Sequence, residues 1–134
     1  MKFFRLIFPF APFLLFVLPM AAQNPPQSPE QQEKQLMEFI DKEVKRLSDL
    51  LDLEYWQEFY VDSTLTHDLP AMSAELQKLQ SAKVENTDIY MTVRDKWMEQ
   101  IDASYKRIFN EGQWKKYWKT GGQRAQKERD KRKK

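Results

Sequence analysis

The chain has 134 residues, with 22 lysines and arginines against 20 aspartates and glutamates, one histidine and no cysteine. The absence of cysteine excludes a disulfide framework, thiolate chemistry and lipid attachment to an N-terminal cysteine. The single His67 excludes histidine metal clusters and the two-histidine carboxylate sites of helical bundles within one chain.

The first element is a leader. Lys2 and Arg5 precede an uncharged apolar run over residues 6–22, which ends in Ala21 and Ala22. Basic, apolar and small segments in that order predict a secretory signal, cleaved before Gln23 or at a neighbouring bond, since Met20 is large for its place before the cut. Pro9, Pro12 and Pro19 interrupt the run, and it falls short of the roughly 20 apolar residues of a spanning helix, so a retained anchor is the lesser reading. The expected home of the mature chain is therefore the periplasm or the outside. Cleavage after Ala22 leaves 112 residues, one modest domain. Residues 23–28, with Pro25 and Pro26, form a polar flexible spacer. Residues 23–114 hold 10 basic and 18 acidic side chains, whereas residues 115–134 hold 10 basic and 2 acidic ones. An acidic body with a basic tail attracts its own kind or folds back on itself, and salt weakens both.

Helical signals follow in order over residues 29–120. Ser28, Pro29 and Gln31 make an N-cap, a first-turn proline and a capping-box return, and Leu36, Ile40, Val44, Leu47 and Leu51 form one apolar stripe. A first helix over Pro29–Leu51 is predicted. A second stripe, Val61, Leu65, Leu69, Met72, Leu76 and Leu79, keeps helical phase across Pro70. Two arrangements fit: one long helix kinked at the proline, which the preserved phase favours, or a new helix capped by Asp68 with Pro70 in its first turn. After a loop near residues 85–87, Tyr90, Val93, Trp97, Ile101, Tyr105 and Ile108 repeat the spacing. Asn110 and Gln113 open a short helix that Gly121 is expected to end in a left-handed cap. Sustained alternation is absent, so the fold class is all-α, a small bundle or cradle of four to five helices.

Two helix junctions read alike. LEYWQ, with Leu53 and Gln57, and FNEGQ, with Phe109, Asn110 and Gln113, each place an apolar residue, a polar one and a glutamine where one helix yields to the next. The pattern resembles the repeated Leu-Thr-x-x-Gln motif of the Spy and CpxP family of small periplasmic helical proteins, with Glu54 standing where the motif has threonine and Phe109 and Asn110 where it has leucine and threonine. The chain is also similar to small exported proteins of unknown function from Bacteroidota, on the stretches WQEFYVDSTLTHD and VRDKWMEQI. The family resemblance implies a cradle-shaped homodimer that shields unfolded envelope proteins without ATP, or a modulator of envelope stress.

Catalytic and metal signals are thin. Ser63 and His67 share a helix face beside Asp62 and Asp68, but no glycine-bearing turn offers an oxyanion hole. Glu54, Glu58 and Asp62 align on one face and Asp95, Glu99 and Asp102 on another; without a calcium-type loop these read as wetted faces answered by lysines of a neighbouring helix. The inventory points to no enzyme and no cofactor. Aromatic residues are more informative. Tyr55, Trp56, Phe59 and Tyr60 cover more than one face of a helix, which leaves either an aromatic-rich core or a partner surface. Trp114, Tyr117 and Trp118 share one face of an amphipathic end helix, and Trp114 and Trp118 join those four as a candidate partner surface of six residues. Residues 121–134, with Arg124, Lys127, Arg129, Lys131, Arg132, Lys133 and Lys134, have no apolar stripe and read as a solvated helix or disordered tail. Export argues against nucleic acid as its partner and favours an anionic membrane surface or the acidic body of a second copy. The leading expectation is an exported protein that binds polypeptide or envelope partners through aromatics; the alternative is a structural or membrane-surface adaptor acting through its basic tail.

Overall fold

A computed structural model describes residues 27–134, so the leader and its cleavage point lie outside the described residues. The architecture is all-α: α1 (Pro29–Leu51), α2 (Tyr55–Ser81), α3 (Thr87–Ile108), the short α4 (Glu111–Tyr117), a kinked turn (Trp118–Gly122) and α5 (Gln123–Arg132). Helix α1 begins and ends where its caps and stripe require. Ser28 Oγ accepts from the Gln31 amide at 3.2 Å, and the Gln31 side chain returns the bond to the Ser28 amide. At its far end Asp52 adopts the left-handed conformation (φ 54°) that turns the chain toward α2.

Helix α2 runs unbroken through Pro70, so the single-helix arrangement is the one adopted. Proline has no N–H for the carbonyl of Thr66, and both residues border an open groove. Asp68 is not an N-cap. It lies mid-helix and buried, with His67 Nδ1 at 2.7 Å and Gln100 Nε2 donating at 3.4 Å to the same oxygen. Asn86 caps α3 by accepting from the Asp88 amide at 2.9 Å.

The three long helices alternate in direction, with α2 packed against both α1 and α3. Their buried residues are Ile40, Leu47 and Leu51 from α1, Val61, Leu65 and Leu69 from α2, and Ile101 and Tyr105 from α3, joined by Phe109. These cluster toward one end of the bundle, where α1 hands over to α2 and α3 to α4. Burying such a side chain contributes about 1.5–3 kcal/mol, so this end anchors the fold. Toward the other end α1 and α2 border the groove lined by Gln32, Leu36, Phe39 and Gln77.

Gly121 breaks the helix where the sequence places its end, but not in the expected left-handed cap. Its φ of 174° is extended rather than left-handed, and past this kink the chain enters a further helix, α5. Gly122 is buried there because a Cβ would lie 2.9 Å from Trp118 Cε3 and 3.1 Å from Tyr117 Cε1. The glycine pair redirects the chain instead of ending it.

Candidate partner-binding surface

The two similar junction motifs meet in space. Gln57 Oε1 accepts from the Glu54 amide at 2.8 Å, and Gln113 Oε1 accepts from the Asn110 amide at 2.9 Å. Each glutamine then donates across to the other, at 2.6 and 3.0 Å between Nε2 and Oε1. Each also reaches the end of the helix preceding the opposite motif: Gln57 Nε2 donates to the Ile108 carbonyl at 3.0 Å, and Gln113 Nε2 to the Leu51 carbonyl at 3.3 Å. Helix ends leave unpaired amides and carbonyls, and this reciprocal pair supplies partners at four of them. Gln57 is 2% exposed, so the arrangement is buried and structural. Leu53 and Phe109 pack at the same end, Phe109 in the core and Leu53 against it. Glu54 makes no side-chain cap bond; its carboxylate accepts from Trp56 Nε1 at 2.6 Å.

This junction sets the start of α2 and so aims its first two turns. Tyr55, Trp56, Phe59 and Tyr60 are 88, 50, 63 and 52% exposed. Their interior counterpart on the same turns is Gln57 and Val61, both buried, which forces the rings outward. Tyr60 meets Trp56 edge to face at 6.2 Å between ring centres and Phe59 at 5.6 Å, so the rings hold one another in place. A shallow groove beside them is lined by Trp56, Tyr60 and Thr64 of α2 and Ser104, Arg107 and Ile108 of α3. Both readings left open for the chain's aromatics hold in different places: these four are surface, whereas a second group is packed.

That second group is Tyr105, Phe109, Trp114, Tyr117 and Trp118. Tyr105 stacks on Phe109 at 5.2 Å, Tyr117 meets both edge to face, and Trp114 stacks on Trp118 at 5.3 Å. Trp114 packs against the core and Trp118 is half-buried. No ring contact among the described residues joins this group to the rings of α2. The partner surface expected of six residues is thus, as an exposed cluster, one of four. Burial drives the hydroxyls of Tyr105 and Tyr117 well above the ordinary tyrosine range, aided by the nearby charges of Glu43 and Asp102 at Tyr105, and of Asp102 at Tyr117.

The acidic face of α3 is answered by the tail. Arg129 Nη2 donates to Asp102 Oδ2 at 2.6 Å, Arg132 binds Asp95 through two bonds of 2.8 and 2.7 Å, and Lys133 reaches Glu99 at 2.8 Å. Arg132, further along α5 than Arg129, pairs earlier on α3, at Asp95 instead of Asp102, so the two helices are antiparallel. Arg129 is 4% exposed. The tail is helical, one of the two forms its composition allows, but it is not solvated all round. Arg124, Lys127, Lys131 and Lys134 remain exposed. Asp102 takes a second bond from Tyr117 Oη at 2.5 Å, which ties α5, α4 and α3 together. Local periodicity carries no sign of this docking; the signal present is the charge split between body and tail.

Ser63 makes no hydrogen bond to His67 among the described residues, and His67 turns to Asp68 instead. Glu58 accepts from Ser48 Oγ and Glu54 from Trp56, which spreads those carboxylates among separate partners. No group of three or more metal-binding side chains occurs among the described residues, nor any helix long and apolar enough to cross a membrane. The chain matches no protein-family model, no curated protein and no solved structure.

Proposed function

We propose that this is an exported helical protein that holds apolar segments of other polypeptides, unfolded or envelope proteins, against the ring face of α2, in the manner of the Spy and CpxP proteins its junctions resemble. The observation that carries the reading is the cluster of four exposed aromatic rings at the start of α2. Exposed aromatic surface is unfavourable at roughly 25 cal/mol per Å2, and such a contiguous patch on a small protein marks a surface that something else covers. Trp56, Phe59 and Tyr60 are held by edge contacts, so they gain apolar contact with little ordering cost. Export rests on the basic and apolar leader of residues 1–22, and a second copy covering the same rings is the homodimeric form of the same reading.

The test is light scattering from a chemically unfolded client without ATP, with increasing amounts of the purified protein at low and high salt. Suppression at both salts is expected, because apolar contact survives screening. Trp56→Ala with Phe59→Ala should abolish it while circular dichroism stays unchanged, since neither side chain is in the core. An unsuppressed client, or full suppression by the double variant, overturns the reading.

A further inference from the structure

The seven cations of residues 121–134 are sorted by α5 onto two sides. Arg129, Arg132 and Lys133 face α3 and are paired with its carboxylates. Arg124, Lys127 and Lys131 follow one another on α5 at steps of three and four, a single helical stripe about 10 Å long, and Lys134 lies just past the helix end. All four are exposed, and among the described residues the only ion pair any of them makes is that of Lys131 with Glu128, its neighbour on the same helix. Such an exposed pair at this spacing contributes little and leaves the ammonium available.

The geometry points to this outer stripe as a docking face for the phosphates of an anionic membrane surface. Docking of α5 prepares it in two ways. The buried Arg129–Asp102 pair ties the helix to α3, so its outer charges lie along a helix held to the body instead of on a loose chain. The same docking covers Asp95, Glu99 and Asp102, whose negative charges would otherwise repel an anionic plane. A straight convex row suits a flat sheet of headgroups. It contains no aromatic ring on which bases stack, which disfavours single-stranded nucleic acid, and the apolar leader places the chain's route at a membrane. Contact of this kind is purely electrostatic and peripheral, with each cation near the surface adding about fivefold to the partition.

The experiment is vesicle sedimentation of the full chain, comparing phosphatidylcholine alone with a phosphatidylcholine and phosphatidylglycerol mixture at low salt. The apolar leader contributes to both vesicles, so the ratio between them reports the stripe. The expected result is preference for the anionic vesicles that disappears at high salt and falls roughly 25-fold in Lys127→Gln with Lys131→Gln, two charges' worth. Lys133→Gln, which alters the inner side, should leave the ratio within about twofold at unchanged helicity. Equal binding to both vesicles overturns the proposal, as does an unaffected outer variant or a loss confined to Lys133→Gln. A DNA duplex that outcompetes the anionic vesicles for the wild-type chain also overturns it. The outcome is independent of the ring face of α2, which none of these variants touches.

Discussion

Gln57 and Gln113 show how one side-chain type at two places closes a fold. Each carboxamide accepts the amide of its own N-cap and donates both to its counterpart and to a helix-ending carbonyl 51 or more positions away. Truncating one leaves buried backbone groups without partners, which costs more than the bond itself is worth. Gln113→Ala is therefore expected to lower stability by about 2–3 kcal/mol in urea unfolding, and Gln57→Ala by a similar amount. The double variant should cost less than the sum by about 1 kcal/mol or more, because the second truncation removes a group the first has already orphaned. Additive losses would show that the two caps act separately. The capping role of both glutamines is legible in the sequence from their spacing to Glu54 and Asn110. Their meeting is not, because a contact between positions 57 and 113 leaves no trace in local periodicity.

Among the elements, the kinked turn between α4 and α5 and the helix beyond it depart most from expectation. A double glycine after an apolar stripe ordinarily stops a helix, and local signals alone place the end at Gly121. The helix does break there, and a second one follows because Arg129 joins Asp102 of α3, while the rings of Tyr117 and Trp118 close over Gly122 at the kink. The two glycines then have unequal roles. Gly122→Ala places a methyl group against two packed rings, so a loss of about 1–3 kcal/mol is expected in thermal unfolding. Gly121→Ala meets nothing within 4 Å and should stay within about 0.5 kcal/mol of wild type. Equal effects would mean that flexibility, rather than close approach, is what the pair supplies.

Across the molecule, charge and burial make the fold sensitive to alkali. Tyr105 and Tyr117 are held protonated by burial beside carboxylates, and Lys133 by its bond to Glu99. The folded values lie above the unfolded ones, so the unfolded chain gives up these protons first. The stabilisation is complete below about pH 10, the ordinary tyrosine value, and falls above it by about 1.4 kcal/mol per pH unit for each tyrosine. Helical circular dichroism should accordingly collapse on the alkaline side of pH 10. Tyr105→Phe keeps the ring and removes the ionisable hydroxyl, and it should move the collapse to higher pH. An unchanged onset would show that Tyr105 is not held protonated by the fold.

The all-α class, the bounds of α1 and the continuity of helical phase across Pro70 are determined by the sequence alone, because caps and 3.6-residue stripes are local physics. So is the opposition of acidic body and basic tail, a matter of counting. Which aromatics are wet is not: Tyr55, Trp56, Phe59 and Tyr60 face solvent because Gln57 and Val61 take the interior of the same turns, while Trp114 and Tyr117 are drawn onto the core. Nor is the division of the tail into a paired side and an outward side. Both depend on which helix lies beside which, and that is settled by contacts between distant residues, whose free energy belongs to the packed assembly and not to any one segment.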